Sequence, residues 1–164
     1  MNTQTAHEFL TRCFQPKETI AVLLRKENPT STTQRIVRLE QALAPRYVAW
    51  LRYENHNGAN VYVAANPLRS GSRKRTKDCI AEVRHLYIDI DVDGEERIAA
   101  LRASDAVPVP STILSTSPGK YQALWKVEGF DFDQQEKTLK LLVITFGVTQ
   151  LAPTATGFLE CPDF

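Results

Sequence analysis

The sequence predicts an α+β fold in which helices pack against a mixed, largely antiparallel sheet. Strand-like runs occur in pairs around short turns, as in hairpins, and helical patterns are scattered among them instead of alternating one for one with strands. A chain of 164 residues is long enough to bury a hydrophobic core and short enough to fit one domain.

The first elements follow from the spacing of apolar residues. An amphipathic stripe predicts an opening helix over residues 5–14, and an apolar run with β-branched residues predicts a buried strand over 19–25. A polar loop containing Pro29 follows, and residues 34–43 have a weaker helical pattern.

A hairpin is predicted next. Residues 46–54 and 59–65 are rich in aromatic and β-branched residues, and they flank Asn57-Gly58. Asn-Gly tolerates the positive φ angles that a tight hairpin turn requires, so the two runs are expected to pair as antiparallel strands.

The middle of the chain combines a loop, a strand and helices. After a loop at 66–75 that contains Pro, Gly, Ser and basic residues, Thr76 is expected to cap a short helix that ends near Val83. Alternating polarity predicts a strand over His85–Asp91, and a helix is expected over 95–102.

Three more elements are predicted before the C-terminal tail. Residues 111–116 and 121–128 form a second hairpin-like pair, and helical periodicity covers 134–146. Asp133 with Glu136 resembles a capping box at the start of that helix.

Strand geometry places Asp89 and Asp91 on one face. Side chains two positions apart along a strand point the same way, with Cα atoms roughly 6–7 Å apart. His85 and Tyr87 share this face, while the aliphatic residues between them point the other way. Carboxylates this close can hold one or two divalent cations, an arrangement suited to phosphoryl transfer.

Two other interpretations apply to the acidic run. Asp is common where a strand leads into a turn, and Asp93-Gly94 is typical turn sequence, so a structural role stays open. The spacing of Asp89, Asp91 and Asp93 also resembles the start of a calcium-binding EF-hand loop. That motif is excluded because its twelfth position is Ala100 instead of Glu and because a strand-like run precedes it.

The turn at Ser117–Lys120 is a candidate phosphate site. Its small residues expose backbone N–H groups, and Lys120 adds a positive charge. Alternation along the following strand points Gln122 and Lys126 toward the same side as the aspartates. A plain hairpin turn is the alternative, because no Walker-type glycine spacing is present.

A cluster of five cations lies between positions 69 and 77, interleaved with Ser and Gly. Such a loop suits contacts with a nucleic-acid backbone, and a solvated surface loop is the alternative. The five cations are Arg69, Arg73, Lys74, Arg75 and Lys77.

His85 is as compatible with a structural role as with a place in the site.

Charge and cysteine content exclude several classes of function. A net charge of +1 provides no global attraction for nucleic acid, so any attraction must come from a local patch. Cys13, Cys79 and Cys161 are odd in number and far apart, which predicts neither a zinc site nor a disulfide framework. Since no signal-peptide pattern and no apolar run of ~20 residues occurs, a cytoplasmic location without a membrane partner is expected.

Three motifs in order resemble the RepB-like DNA primase family of the archaeo-eukaryotic primase superfamily, which occurs on plasmids and other mobile elements. They are RTKD at 75–78, VRHLYIDIDVDG at 83–94 and TSPGKYQ at 116–122. Shorter matches precede them, and the resemblance covers most of residues 15–147.

The resemblance implies a palm-like core related to the RNA-recognition-motif topology. It implies a nucleotidyltransferase of plasmid or mobile-element replication, which makes short primers from nucleoside triphosphates on single-stranded DNA with Mg²⁺ or Mn²⁺. Asp89 and Asp91 match the catalytic, metal-binding pair, and Ser117, Lys120 and Gln122 match the nucleotide-binding motif. A helicase or a helical primase domain is the expected partner.

The C-terminal segment departs from the family pattern. The comparison predicts a single catalytic core over 1–147 and a divergent or truncated motif segment over 148–164. Thr149 and Thr154 stand where the family has acids, and Gly157 and Glu160 stand where it has arginines. The second hypothesis follows from these departures: the chain is a catalytically impaired module of the same fold that binds nucleotides or nucleic acid.

Overall fold

The computed structural model describes residues 6–148 and 156–161, and the chain divides into two compact units. Unit 1 consists of Met1–Ala81 with Phe158–Phe164, and unit 2 consists of Glu82–Gly157. Each unit contains an antiparallel sheet together with helices, so the predicted α+β class is confirmed. The expected division into a core and a separate closing segment stays a prediction.

The described part of unit 1 has a four-stranded sheet in the order β2-β1-β3-β7. β1 pairs with β2 and with β3, and β3 pairs with β7, in each case antiparallel. The helices are α1 (Ala6–Cys13), α2 (Leu39–Ala42) and α3 (Pro45–His56), and the strands are β1 (Thr19–Glu27), β2 (Thr30–Arg38), β3 (Ala59–Ala64) and β7 (Phe158–Glu160).

The core of unit 1 forms because one face of its sheet is apolar. Ile20, Val22 and Leu24 alternate along β1 and are buried, and Val61 and Val63 lie opposite them on β3. The opening helix and the strands at 19–25 and 59–65 are therefore where the sequence predicts them.

The hairpin predicted for residues 46–54 is wrong, because these residues form α3. Pro45 occupies the first turn of the helix, where the N–H that proline lacks would have no partner within the helix, and Leu51 is fully buried. Gly58, with φ of +81°, follows the helix end instead of turning a hairpin.

The helix predicted for residues 34–43 is also wrong. β2 continues to Arg38, and only Leu39–Ala42 is helical. β2 is an exposed strand that pairs with β1 around Asn28-Pro29, so it lacks the apolar alternation by which a strand is recognised. The helix expected to follow Thr76 is a single 3₁₀ turn, Lys77–Cys79, and the Thr76 side chain does not cap it.

The described part of unit 2 has a three-stranded sheet in the order β4-β6-β5, and its five elements lie close to their predicted positions. The capping box of the last helix is Asp131 with Gln134, two residues before the predicted pair. The strands are β4 (Val83–Ile90), β5 (Thr112–Ser117) and β6 (Lys120–Phe130), and the helices are α4 (Gly94–Ala103) and α5 (Phe132–Phe146).

The two faces of β4 differ as the alternation predicts. Leu86, Ile88 and Ile90 join a core cluster with apolar residues of α4, α5 and β6. The opposite face carries the polar side chains, Asp89 among them. Among the described residues, no helix combines the length and apolar character needed to cross a bilayer.

Candidate active site

The two aspartates lie at the end of β4. Asp89 is half-buried within the strand, and Asp91 follows the last strand residue with 45% of its side chain exposed. Because β4 leads directly into the turn before α4, the pair lies where a strand meets a loop. Side chains at such a position can contact a ligand while the sheet fixes their backbone.

The register between β4 and β6 brings the nucleotide-binding candidates to the aspartates. Asp89 lies opposite Gln122, and the Gln122 Nε2 donates to Asp89 Oδ1 at 2.6 Å. Two positions earlier on β6, the Lys120 Nζ lies 3.4 Å from Asp91 Oδ1. Four of the five residues predicted for this site are therefore in direct contact in pairs.

The environment of Asp89 disfavours its charged form. Burial raises the pKa of the Asp89 carboxyl, and the nearby charge of Asp91 raises it further. The hydrogen bond from Gln122 acts in the opposite direction, since it stabilises the carboxylate. A carboxylate in such a setting gains from a cation placed between it and its acidic neighbour.

The turn between β5 and β6 is exposed and tight. Pro118 and Gly119 form it, and Gly119 has a φ of +75°, which favours glycine. Ser117, the fifth predicted residue, lies opposite Lys120 at the base of the turn. The turn thus presents Ser117, Lys120 and its own backbone at the end of the hairpin that carries Gln122.

Two contacts that sequence reasoning missed join this turn to the start of α4. Gly94 lies against the Gly119 carbonyl so closely that a Cβ would overlap it. The Tyr121 hydroxyl donates a hydrogen bond to the Glu95 carboxylate. The one sequence signal here is Asp93-Gly94, and it indicates a turn without revealing what the turn packs against.

Arg97 of α4 also supports the acidic loop. Its Nε donates to the Val92 carbonyl at 3.0 Å, and its Nη1 donates to the Phe146 carbonyl at the end of α5. Arg97 and Phe146 also line a cavity of about 280 Å³ between the start of α4 and the end of α5. Arg97 therefore ties the backbone next to Asp91 to a second helix.

The acidic pair fits a hard divalent cation that arrives with a phosphate ligand. Carboxylate oxygens are the ligands that Mg²⁺ prefers, and Mg²⁺ is commonly held by one or two protein carboxylates plus substrate phosphates. Over the described residues, no group of three or more His, Cys, Asp and Glu side chains is placed to bind a metal. Thr149 and Thr154, where the family has acids, lie outside the described residues.

The C-terminal positions where the family has arginines have distinct surroundings. A Cβ at Gly157 would overlap the hydroxyl and ring of Tyr87, which is buried on the aspartate face of β4. Glu160 lies opposite Tyr62 in the sheet of unit 1. His85 is buried on β4 opposite Lys126, four residues before Asp89.

The basic loop belongs to unit 1, and backbone hydrogen bonds close it at its base. The Arg69 N–H donates to the Cys79 carbonyl at 2.8 Å, and the Ala81 N–H donates to the Pro67 carbonyl at 2.9 Å. The Arg69 side chain also donates to the Ile80 carbonyl at 3.2 Å. One predicted DNA-binding cation thus has a structural contact.

Arg75 is a second loop cation with partners in unit 1. Its guanidinium lies 3.6 Å from the ring centroid of Phe158, and its Nε donates to Gln34 Oε1 at 3.3 Å. These contacts fix the C-terminal part of the loop against the sheet. The other three predicted cations are exposed: Arg73, Lys74 and Lys77.

Solved structures of replication enzymes resemble this fold. A primase RepB' structure matches with a TM-score of 0.68 and 16% identity over 95% of this chain and 49% of that one. The catalytic domain of primase RepB' in complex with initiator DNA matches with a TM-score of 0.66 and 17% identity, over 96% of this chain and 76% of that one. The AEP domain of the cyanophage S-2L primase-polymerase matches with a TM-score of 0.70 and 16% identity, over 95% of this chain and 80% of that one.

At these identities the likeness shows the fold, and the chain spans about half the length of the first primase. No curated protein gives a significant match. The family model for the RepB DNA-primase N-terminal domain matches residues 27–164, which is most of the chain. The chain therefore belongs to the RepB DNA-primase family.

Proposed function

We propose that this chain is the nucleotidyl-transferring domain of a plasmid or mobile-element replication primase, which joins nucleoside triphosphates into a short primer on single-stranded DNA. The observation that carries the proposal is the cross-strand pairing of Asp89 with Gln122 and of Asp91 with Lys120, next to an exposed turn. This arrangement places two carboxylates beside groups that can hold phosphates.

In this proposal Asp89 and Asp91 hold Mg²⁺ or Mn²⁺. Two such cations would neutralise the triphosphate and activate the attacking hydroxyl. Ser117, Lys120 and the backbone N–H groups of the turn bind the phosphate oxygens. Gln122 faces the nucleotide and holds the Asp89 carboxylate in one orientation through its 2.6 Å hydrogen bond.

Single-stranded DNA is the proposed template, and unit 1 has the charge to bind it. This unit contains thirteen Lys and Arg and eight Asp and Glu, a surplus of five positive charges. Unit 2 contains seven Lys and Arg and eleven Asp and Glu, a surplus of four negative charges. The basic loop lies in the positive unit, which supports its proposed contact with phosphates. A helicase or a helical primase domain completes the proposed set of partners.

A primer-synthesis assay tests the proposal. The protein is incubated with single-stranded DNA, labelled nucleotides and Mn²⁺, and products are resolved on a denaturing gel. Wild type should extend short products, and Asp89→Asn and Asp91→Asn should each lower the rate at least about 100-fold, because the cation that they hold stabilises the transition state. Asp105→Asn, an exposed acid of the same unit, is the matched control. Equal activity in all four proteins would refute the assignment.

A catalytically impaired binding module is the second candidate. It is favoured by the lack of a third metal-ligating group among the described residues and by Gly157, where Tyr87 leaves no room for a side chain. This candidate predicts binding of DNA or nucleotide without any primer product, and it predicts that Asp89→Ala leaves DNA binding unchanged.

A further inference from the structure

The two carboxylates of the site each have a partner from β6, and the two partners differ in kind. Gln122 donates a neutral amide N–H to the half-buried Asp89, at 2.6 Å. Lys120 offers a full positive charge to the exposed Asp91, at 3.4 Å. Because the strands are antiparallel, the register that pairs Asp89 with Gln122 also makes Lys120 the direct neighbour of Asp91.

The Lys120 ammonium group lies beside Asp91 Oδ1, one of the two Asp91 oxygens that could bind a divalent cation. A cation bound to that oxygen would be repelled by the ammonium group at short range. The same lysine lies at the base of the turn proposed to bind phosphates. One side chain is therefore within reach of two opposite kinds of partner, a carboxylate and a phosphate.

We propose that Lys120 is the resident counter-cation of the aspartate pair and that the incoming triphosphate draws it away from Asp91, so that nucleotide and divalent cation bind cooperatively. This inference rests on the proposed function and adds a coupling between its two ligands. Without a triphosphate, Lys120 competes with the cation. With a triphosphate present, the phosphates take Lys120 and Asp91 becomes available.

The exposure of the pair makes this exchange feasible. Lys120 is 51% exposed and Asp91 is 45% exposed, so water screens their attraction and the contact breaks at little cost. Asp89 and Gln122 differ, since both are held within strands and their contact does not need to break. The expected competition is accordingly modest, about two- to fivefold in cation affinity.

The surrounding backbone favours a side-chain exchange over a movement of the turn. Gly94 is packed against the Gly119 carbonyl, and Tyr121 is hydrogen bonded to Glu95. These contacts fix the residues on both sides of Lys120 to the start of α4. Lys120 lies between them on an exposed position and can move alone.

Calorimetric titration of the full chain with Mn²⁺, without nucleotide, tests the competition. Lys120→Met should bind Mn²⁺ about two- to fivefold more tightly than wild type, and the gain should shrink in high salt. Lys126→Met removes an exposed lysine from the same strand, at a position opposite His85, and should change the affinity less. Unchanged or weaker Mn²⁺ binding in Lys120→Met would overturn the inference.

Thermal unfolding with inorganic triphosphate, Mn²⁺ or both measures the coupling directly, with circular dichroism to verify that each variant is folded. In wild type the two ligands together should raise the melting temperature by more than the sum of their separate effects, and this excess should be smaller in Lys120→Met, where only the direct contact between Mn²⁺ and the phosphates still couples the two ligands. An equal excess in both proteins would contradict the exchange.

The failure of this inference can be told from the failure of the proposed function. If Mn²⁺ binds wild type and Asp89→Asn with equal affinity, the metal site itself is wrong and both fall. If Asp89→Asn abolishes the binding while Lys120→Met matches wild type, the site stands and only the exchange is wrong.

Discussion

The half-buried position of Asp89 favours the binding of a cation, and it lowers the stability of the folded protein when no cation is bound. The pKa of this carboxyl lies above its ordinary value of 3.8, chiefly because of burial. Between the ordinary and the raised pKa the folded protein binds more protons than the unfolded chain, so stability falls as the pH rises through that window. Above that window, where Asp89 is charged, the burial of its charge lowers the free energy of unfolding.

Asp89→Asn should stabilise the cation-free protein. The amide keeps an oxygen that can accept from Gln122 and removes the buried charge, so we expect a gain of roughly 0.5–2 kcal/mol at neutral pH. Denaturant unfolding in EDTA measures it. The gain should disappear well below the ordinary pKa, where both side chains are neutral, and a decrease in stability at neutral pH would contradict the account.

Gly157 and Tyr87 should be energetically coupled, because the space beside Gly157 is filled by the Tyr87 side chain. Gly157→Ala is expected to cost about 1–3 kcal/mol, because the new Cβ overlaps the Tyr87 hydroxyl and ring. In a Tyr87→Leu background the same change should cost less, since the smaller side chain leaves room. A double-mutant cycle from chemical unfolding gives the coupling, and additive effects would show that the two residues do not share this space.

Among the elements, α4 depends on Arg97 for its place beside the end of α5. Arg97→Met should lower the free energy of unfolding by about 1–3 kcal/mol, because the carbonyls of Val92 and Phe146 are both deprived of a charged donor. Arg102→Met, an exposed change in the same helix, should stay within about 0.5 kcal/mol of wild type. Similar decreases in both variants would contradict this role.

The elements that the sequence predicts correctly are those whose faces have different environments. β4 alternates because one face packs in a core and the other carries the site, and β6 alternates for the same reason. α3 is predicted as a strand because Leu51 alone is buried in it, so it lacks an apolar helical stripe. The aromatic residues on its less buried faces have the high β propensity that is typical of a strand. The edge strand β2 is polar because its side chains are mostly exposed, so it does not need an apolar face.

The residues of the site also divide into those that the sequence pattern predicts and those that it does not. Asp89, Asp91, Lys120 and Gln122 are predictable together because each lies on or directly beside a strand whose period sets its face. Gly94, Glu95 and Arg97 are not, because their roles depend on which backbone atoms another element brings near them. Register and docking decide such contacts, and no local pattern encodes them.

For the whole molecule, the small net charge conceals two units of opposite sign. DNA affinity should therefore depend on unit 1. Arg73→Ser with Lys74→Ser should weaken binding of single-stranded DNA and lower the slope of log affinity against log salt by about 0.7 for each phosphate that the variant no longer neutralises. Lys137→Ser with Lys140→Ser in unit 2 is the matched control. Fluorescence anisotropy over a salt series measures both, and equal slopes in the two double variants would contradict this division.

The order of the strands in unit 1 has a consequence for biosynthesis. β7 is translated after every residue of unit 2, yet it pairs with β3, which is translated before them. Unit 2 draws on one continuous stretch of chain and can form as soon as that stretch leaves the ribosome. The β3 edge of the sheet in unit 1 stays unpaired with β7 until β7 has been synthesised. Of the two units, the amino-terminal one is therefore completed later.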